Sequence, residues 1–291
     1  MTALIIDGKQ IAQKLRADWK LRADRLNGAG IAPGLALVMV GENAASKIYV
    51  RNKIKACREV GIRSEEHLLG GDSSQETVLN LIDRLNADAA VHGILVQLPL
   101  PAQLAPPAVI ERISPDKDVD GLHSRNLGSL LSGHPRFLPC TPAGIMEMLK
   151  STGLNLRGKE AVVVGRSNIV GKPVALLLLQ AGATVTMCHS QTRDLAHHTR
   201  RADVLVCAIG KPYAIGGEMI KLGATVIDVG INRLSDGKLV GDVDYGAARE
   251  RAGWITPVPG GVGPMTIAML LGNAILSAER HAAEQGIELD A

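Results

Sequence analysis

Short aliphatic runs alternate with longer segments of helical spacing along the chain, and this alternation limits the possible folds more than any other feature. Most runs are continuously apolar, which predicts strands that are buried on both faces. Parallel strands joined by helices are buried in this way, so the pattern predicts an α/β fold with two α/β domains. The predicted strands are Leu35–Val40, Glu66–Leu69, Val91–Val96, Ala161–Val164, Thr184–Cys188, Val204–Ala208, Thr225–Val229 and Trp254–Val258. The predicted helices include Ala44–Val60, Gln75–Asn86, Pro173–Ala181 and a last helix from about Met265 to Ala283.

A stretch rich in proline and glycine, from Pro115 to Pro142, interrupts the alternation and predicts a domain boundary. The last helix is long enough to pack back on the first domain, which makes that domain discontinuous. We therefore expect a first domain of residues 1–138 with 270–291, and a second domain of residues 139–269.

The composition argues against several classes of protein. Apolar residues make up 46% of the 291 residues and aromatic residues only 2%, so the core must be aliphatic. A net charge of +3 without a long basic block argues against a nucleic-acid partner. The N-terminus does not resemble a signal peptide, and no run of about eighteen uncharged apolar residues predicts a membrane span.

The four cysteines, Cys57, Cys140, Cys188 and Cys207, are widely separated. None forms a C-x-x-C pair, which argues against a zinc ribbon or a thioredoxin-like redox site. We expect no metal site, and we expect buried free thiols at Cys188 and Cys207. This cysteine usage favours a cytoplasmic location, where the compartment is reducing.

The segment Ala161–Pro173 has the order of a strand, a tight loop and the start of a helix. Gly165 allows the turn, and the small Ser167 allows close approach of the backbone to a ligand. Gly171 precedes a helix whose free N–H groups attract phosphate. The order G-x-S-x-x-x-G departs from G-x-G-x-x-G, so an ordinary strand-to-helix loop remains an alternative when the pattern is taken alone.

The residues after the second strand of this domain predict which dinucleotide it binds. In NAD-binding domains, an acid about twenty residues after the glycine loop binds the ribose hydroxyls. Here no acid occurs before Asp194, and the chain has Ser190, Thr192 and Arg193 instead. Arg166, in the first loop, adds a second guanidinium group. Such groups bind a 2′-phosphate that a carboxylate would repel, so the sequence predicts NADP as the cofactor.

Tyr49 and Lys53 are four residues apart in the first long predicted helix, so they share one of its faces. A phenol beside an amine at the edge of a core can stack on a flat ring and deliver a proton. Taken alone, this spacing is more often that of a lysine whose stem packs beside a tyrosine. Gln97 ends a predicted strand, at the edge where open α/β sheets bind their ligands.

Two loops complete the set of candidate residues. The acidic turn Pro115–His123 contains Asp120, and its D-x-D spacing lacks the remaining ligands of a calcium loop. The loop Thr256–Thr266 brings bare glycine backbone up to a ligand, and Pro264 fixes the start of the last helix. We expect Gly261 and Pro264 to contact the substrate, with a structural hinge as the alternative.

Six motifs occur in order along nearly the whole chain. They are Y-x-x-x-K at Tyr49–Lys53, V-Q-L-P-L-P at Val96–Pro101, P-x-K-D-V-D-G at Pro115–Gly121, P-C-T-P at Pro139–Pro142, G-R-S-x-I-V-G at Gly165–Gly171 and P-G-G-V-G-P-M-T at Pro259–Thr266. Six ordered matches are too specific to arise by chance. Together these motifs resemble those of the methylenetetrahydrofolate dehydrogenase/cyclohydrolase family.

The resemblance implies a homodimer whose Rossmann-like second domain binds NADP, with a cleft between the two domains of each chain. It implies oxidation of 5,10-methylenetetrahydrofolate and hydrolysis of the methenyl product to 10-formyltetrahydrofolate. In this reading, Asp120 binds the pterin and Tyr49 stacks on the folate. Lys53 and Gln97 act at the one-carbon centre. The implied cofactor-binding residues are Gly165, Arg166, Ser167, Ser190 and Ile231.

Two other classes of protein share this predicted architecture. A two-domain NADP dehydrogenase of the shikimate type would act on a hydroxy acid, but it does not explain the V-Q-L-P-L-P motif. A dinucleotide-binding regulatory module without catalysis would be expected to lack Lys53 or Asp120, and both residues are present.

Overall fold

The computed structural model describes residues 2–289, and of Ala44 and Ala45 the backbone only. The chain forms two compact units, which we name by their sheets. The six-stranded unit comprises Met1–Gln13 and Thr141–Thr266, and the three-stranded unit comprises Lys14–Cys140 and Ile267–Ala291.

Within residues 2–289 the chain forms eleven strands and ten α-helices. The strands are β1 (Leu4–Ile5), β2 (Gly34–Val40), β3 (Arg63–Leu69), β4 (Gly93–Val96), β5 (Glu160–Val164), β6 (Thr184–Cys188), β7 (Val204–Cys207), β8 (Thr225–Asp228), β9 (Asn232–Arg233), β10 (Leu239–Val240) and β11 (Trp254–Ile255). The helices are α1 (Gly8–Gly28), α2 (Ala44–Val60), α3 (Gln75–Ala87), α4 (Pro106–Arg112), α5 (Ser124–Leu131), α6 (Cys140–Ser151), α7 (Gly171–Gln180), α8 (Leu195–Thr199), α9 (Tyr245–Arg249) and α10 (Val262–Glu284).

The six-stranded unit is built on a parallel sheet with the strand order β1-β11-β8-β7-β5-β6. Strands β7 and β8 are buried along their whole length, as their apolar runs predict. From β5 the chain proceeds to β6 on one side and later to β7 on the other. This reversal of strand order leaves a crevice at the carboxyl ends of β5 and β7, where doubly wound sheets bind their ligands.

The first thirteen residues correct the expected domain assignment, because they belong to the six-stranded unit rather than to the first domain. Leu4 and Ile5 pair in parallel with Trp254 and Ile255 at one edge of the sheet. A strand of two residues carries no periodicity that a sequence can show. The chain passes between units at Cys140/Thr141 and at Thr266/Ile267, two and three residues from the expected boundaries. The expected outer limits, at residues 1 and 291, lie outside the described residues.

The three-stranded unit has the strand order β3-β2-β4, with both pairs parallel. The central strand, β2, is buried on both faces, and its side chains alternate between two cores. Leu35 and Leu37 join α1, α2 and α10 in one core, whereas Ala36 and Val38 join α3 and α4 in the other. The predicted α/β class is therefore confirmed in both units.

Helix α10 is, by length and composition alone, apolar enough to cross a membrane. Core helices of globular domains have the same property, and in the three-stranded unit the apolar side chains of α10 are buried against the sheet. The buried side chains of α10 in this core are Leu270, Leu271, Ala274, Ile275, Ala278 and Ala282.

Most predicted strands and helices are present, with ends that differ by a few residues. Strand β11 is the clearest difference, because it ends at Ile255 and not at Val258. Pro257 and Pro259 lack the N–H group that a longer strand would need. The hairpin β9–β10 and the helices α4, α5, α8 and α9 were not predicted, since each is too short for a periodic signal. The longer helices α1 and α6 were not predicted either.

Candidate active site

Lys53 is buried in the three-stranded unit, with 7% of its surface exposed. It lies in α2, which begins where the Asn43 side chain accepts the N–H of Ser46. Val50 and Cys57 are also buried on this helix, at helical spacing from Lys53. The packing of this stripe against the sheet places the amine below the surface.

Gln97 holds the Lys53 amine at the carboxyl end of β4. Its Oε1 accepts a hydrogen bond from Lys53 Nζ at 2.9 Å. Its own amide N–H₂ donates to the Leu98 carbonyl at 2.6 Å, which directs the oxygen, and not the nitrogen, at the lysine. The structure thus joins two predicted residues that are 44 positions apart.

Burial lowers the pKa of Lys53 below its ordinary value, because desolvation penalises the ammonium. The Asp120 carboxylate opposes this shift. Burial raises the pKa of Cys57 to about 12 and that of Cys140 well above its usual range. Both thiols are therefore neutral at pH 7, and the pKa of the amine is governed by its burial and by one carboxylate.

Asp120 lies in a loop that Asp118 organises. The buried carboxylate of Asp118 accepts the His123 N–H at 2.8 Å and the Asn126 amide at 2.7 Å. Gly121 has a φ of 73°, and a Cβ there would lie 2.8 Å from the Pro139 nitrogen. The loop therefore needs glycine after Asp120 and holds that carboxylate half-buried, near Lys53 and Cys140.

Tyr49 lies one turn before Lys53 on α2 and is half-buried. Burial raises the pKa of its phenol, so the hydroxyl keeps its proton at neutral pH. A half-exposed ring beside a buried amine has a free surface on which a flat ligand can stack.

The loop before α10 lies in the six-stranded unit and ends at Gly261, and Pro264 lies in the first turn of α10. A Cβ on Gly261 would lie 2.6 Å from the Pro257 carbonyl oxygen. A Cβ on Gly8 would lie 1.9 Å from the Gly261 carbonyl oxygen, so the loop packs directly on the start of α1. Pro264 is the third residue of α10, where a missing N–H costs no helical hydrogen bond.

The loop after β5 has the tight geometry expected of a phosphate loop. Gly165 has a φ of 131°, and a Cβ there would lie 2.2 Å from the Ala208 carbonyl oxygen. A Cβ on Gly171 would lie 2.2 Å from the Gly165 carbonyl oxygen. The predicted glycines are therefore required by close approach of backbone to backbone.

The first turn of α7 differs from the expectation of free N–H groups. Ser167 Oγ accepts the N–H of Val170 at 3.2 Å and that of Gly171 at 3.3 Å. The Ser167 carbonyl accepts the N–H of Lys172 at 3.0 Å, and Pro173 has no N–H to offer. Ser167 thus caps the helix internally, and fewer N–H groups of its first turn are free than was expected.

Arg166 and Ser190 are both exposed at the carboxyl ends of the neighbouring strands β5 and β6. Thr192 closes the turn after β6, because its hydroxyl accepts the His189 N–H at 2.8 Å. Asp194 caps α8 by accepting the His197 N–H at 3.2 Å. The turn therefore leaves Ser190, and not Thr192, as its free hydroxyl.

Ile231 lies in the turn between β8 and β9 and is 48% exposed. Two buried acids organise this part of the six-stranded unit, and neither was predicted from the sequence. Asp228 ends β8 and Asp242 follows β10. Burial raises the pKa of Asp228 to about 6, against three backbone hydrogen bonds that favour its ionised form. An acid within an otherwise apolar strand is a signal that could have found Asp228, whereas Asp242 lies outside any strand and carries no such signal.

Within residues 2–289, no group of three or more His, Cys, Asp or Glu side chains is arranged to hold a metal ion. The four cysteines are free thiols, and all four are buried.

Comparison with known proteins identifies the family. Residues 6–120 match the catalytic domain of tetrahydrofolate dehydrogenase/cyclohydrolase, and residues 139–282 match its NAD(P)-binding domain. The bifunctional protein FolD of Dechloromonas aromatica is 58% identical, over 97% of this chain and 99% of that protein. FolD of Bordetella avium is 60% identical, over 96% of this chain and 99% of its own length.

Solved structures agree with these matches. The bifunctional FolD dehydrogenase/cyclohydrolase from Campylobacter jejuni has a TM-score of 0.94 at 48% identity, covering 96% of this chain and 99% of that one. The Trypanosoma brucei enzyme, complexed with NADP and an inhibitor, has a TM-score of 0.93 at 41% identity, covering 96% of this chain and 98% of that one. The matched domains give no support to the shikimate-type alternative. The chain belongs to the tetrahydrofolate dehydrogenase/cyclohydrolase family.

Proposed function

We propose that this chain oxidises 5,10-methylenetetrahydrofolate with NADP and then hydrolyses the methenyl product to 10-formyltetrahydrofolate. The observation that carries the proposal is the buried Lys53 amine, held at 2.9 Å by the neutral Gln97 and carrying a lowered pKa. Family membership and the activities named for the relatives support the two reactions.

The residues of the six-stranded unit fit a 2′-phosphorylated dinucleotide. The Gly165 loop has no room for a side chain, and Arg166 and Ser190 are exposed beside it without a carboxylate at that position. When bound, NADP supplies the acceptor for the hydride, and the protein contributes binding and orientation. The relative from Trypanosoma brucei was solved with NADP, which supports the same cofactor here.

The candidate substrate-binding residues are Asp120 and Tyr49 in the three-stranded unit and Pro264 in the six-stranded unit. Asp120 is an acceptor-only carboxylate that can take two N–H donors from the pterin edge. Tyr49 offers its half-exposed ring to the flat part of the folate. Pro264 is half-buried and offers a rigid ring to the substrate, whereas Gly261 is buried and serves the close packing of its loop, contrary to the expected contact with substrate.

Hydrolysis of the methenyl cation needs a group that moves protons. Water attacks the cationic carbon and gives up a proton, one carbon–nitrogen bond opens, and that nitrogen takes a proton. A neutral Lys53 amine can accept the first proton and return it to the nitrogen, which leaves the lysine unchanged over the cycle. The lowered pKa of Lys53 makes its neutral form accessible at working pH.

The decisive experiment changes Lys53 and measures both activities separately. Lys53→Met keeps the stem volume and removes the amine, so we expect loss of hydrolysis by about a hundredfold or more. Dehydrogenase activity should remain measurable, and methenyltetrahydrofolate should accumulate, as its absorbance will show. Lys53→Arg should also fail in hydrolysis, because a guanidinium does not release its proton at working pH.

Two outcomes would count against this assignment. Parallel loss of both rates, with partial rescue by arginine, would mean that Lys53 only positions the substrate. Normal hydrolysis in the methionine variant would remove Lys53 from the chemistry. Activity of the wild-type protein on a hydroxy acid, without activity on methylenetetrahydrofolate, would overturn the proposed function as a whole.

We further propose that the protein acts as a cytoplasmic homodimer. The family resemblance supports the dimer. The location is supported by four buried thiols that form no disulfide within the described residues, which suits a reducing compartment.

A further inference from the structure

Asp242 is fully buried in the six-stranded unit, and its carboxylate is surrounded by N–H donors. Oδ2 accepts the backbone N–H groups of Ile209 at 2.7 Å and Gly210 at 3.0 Å. Oδ1 accepts the backbone N–H of Lys211 at 2.9 Å and the Asn232 side-chain amide at 3.0 Å. A single side chain therefore binds three consecutive peptide groups of the loop after β7 and the first residue of β9.

A second buried acid fixes Asp242 in place. Asp228 Oδ1 accepts the backbone N–H of Asp242 at 2.9 Å, and Oδ2 accepts that of Val243 at 3.0 Å. A Cβ on Gly241 would lie 1.8 Å from Asp228 Oδ2, and one on Gly230 would lie 2.3 Å from Asp242 Oδ1. Two glycines thus make room for the acids, and the segments after β7, β8 and β10 are joined through carboxylates.

The bonds to Asp242 determine which way the loop after β7 presents its carbonyl groups. The N–H and C=O of a trans peptide point in opposite directions. Since the N–H groups of Ile209, Gly210 and Lys211 point at Asp242, the carbonyls of the preceding residues point away from it. One of these carbonyls is that of Ala208, and its oxygen would lie only 2.2 Å from a Cβ on Gly165. Asp242 therefore holds this loop against the loop after β5.

The position of the loop after β7 places it near the nicotinamide half of a bound dinucleotide. Arg166 and Ser190 stand at the β5 and β6 side, where we place the 2′-phosphate of the adenosine half. The crevice of a doubly wound sheet lies at the reversal of strand order, which here is between β5 and β7. A dinucleotide that crosses the β5 loop from the adenosine side therefore has its nicotinamide half over the loop after β7.

We propose that Asp242 is a positioning residue for the nicotinamide half of NADP, acting through residues 209–211. This inference rests on the proposed use of NADP. A carboxylate is needed because its two oxygens accept all four N–H groups, whereas an asparagine has one oxygen and would turn an N–H₂ group toward backbone donors. Asp242→Asn therefore preserves the volume of the side chain and disorganises the loop.

The test compares a whole cofactor with half of one. NADP and adenosine 2′,5′-bisphosphate, which lacks the nicotinamide half, are titrated calorimetrically into the full-length protein. Asp242→Asn should raise the Kd of NADP by about tenfold, as for one lost set of oriented contacts. The Kd of the bisphosphate should change by less than about twofold. A general loss of folded structure would instead weaken the binding of both ligands together.

A control residue, Asp203, lies at the opposite ends of the strands of the same sheet. Asp203 also accepts a backbone N–H, that of Glu160 at 3.0 Å, but at the amino ends of the strands. Asp203→Asn should leave the Kd of both ligands unchanged. Asn232→Ala removes one donor from Asp242 and leaves its three backbone bonds, so it serves if the Asp242 variant fails to fold. This variant should raise the Kd of NADP by about threefold and leave the Kd of the bisphosphate unchanged.

Wild-type affinity for NADP in the Asp242 variant would overturn the inference, and so would equal weakening of the two ligands. If Asp242→Asn does not fold, unchanged NADP binding in Asn232→Ala would overturn it. Wild-type protein that binds neither NADP nor the bisphosphate would overturn the proposed function and the positioning role together. Only selective loss of NADP affinity supports the role of Asp242.

Discussion

The side chain that faces the Lys53 amine is a neutral amide, and this affects the charge of the amine. Gln97 accepts one N–H and has no charge with which to stabilise an ammonium. Burial therefore remains the main influence on the lysine, and it lowers the pKa. A carboxylate in the same place would act in the opposite direction, because an opposite charge at short distance favours the ammonium.

Gln97→Glu tests this reasoning at nearly constant shape. The new carboxylate should raise the pKa of Lys53, so the fraction of neutral amine at a given pH should fall. We expect hydrolysis at pH 7 to drop at least about tenfold and its rising pH limb to move to higher pH. Gln97→Leu is the control, since it removes the orienting oxygen without adding charge. An unshifted pH profile in the glutamate variant would contradict the proton-transfer role of Lys53.

His92 makes the stability of the three-stranded unit depend on pH. It is 6% exposed, and its Nδ1 accepts the Gly34 N–H at 3.0 Å. Burial lowers the pKa of His92, the nearby His281, Lys117 and Arg63 add to this shift and Asp88 opposes it, and together they bring the pKa to about 4. The unfolded chain titrates near the ordinary value of 6.5. The contribution of neutral His92 is thus complete above that pH and is lost as the pH falls toward 4.

His92→Asn should flatten this dependence, because asparagine can accept the Gly34 N–H but does not titrate. We expect the wild-type free energy of unfolding to fall, relative to the variant, by about 1–3 kcal/mol between pH 6.5 and 4. Urea titrations at several pH values measure the difference. His134→Asn is the control, since His134 is exposed. Parallel stability curves for wild type and the His92 variant would show that His92 does not titrate in this range.

At the scale of elements, the loops after β5 and β6 form the predicted site for the adenosine half of the cofactor. Ser167 uses its hydroxyl and carbonyl to satisfy the first turn of α7. The helix end therefore offers fewer free donors to a phosphate than a bare N-terminus would. This places more of the recognition on exposed side chains of the two loops, Arg166 and Ser190 among them.

Arg166→Ala should consequently impair the use of NADP far more than the use of NAD. The guanidinium pairs with a 2′-phosphate that NAD lacks, and a charge-assisted bond of this kind contributes about 1.5–3 kcal/mol. We expect the KM for NADP to rise by about tenfold or more, with little change for NAD. Steady-state kinetics with both cofactors measure this. Lys172→Ala is a useful control, because Lys172 binds Asn168 in the same loop region. Equal efficiency of the native enzyme with both cofactors would disprove the NADP preference.

At the scale of the whole molecule, the expected assembly is a homodimer formed through the cofactor domain. The six-stranded sheet has two edge strands, β1 and β6, and Leu4 and Ile5 of β1 are exposed. Unpaired strand edges and exposed apolar side chains are usual sites of association. Light scattering at micromolar concentration should give twice the mass of one chain. A monomer at that concentration would refute the assembly.

Local patterns in the sequence predicted most strands, the helices α2, α3, α7 and α10, the glycine turn after β5 and the candidates for the site. Each of these depends on neighbouring residues, through apolar periodicity, backbone freedom or an ordered motif. The three-stranded core was foreseeable for the same reason, since β2 and α2 have strong patterns. The expected use of Arg166 and Ser190 also came from local spacing alone.

Only the tertiary structure decided which distant groups meet. It paired β1 with β11 and brought Gln97 to Lys53 across 44 positions. It placed the Ser167 hydroxyl on the N–H groups at the start of α7. It also gathered four N–H donors around Asp242. The physical reason is that a buried polar group must find partners wherever packing places them, and those partners are determined by three-dimensional proximity and not by spacing along the chain.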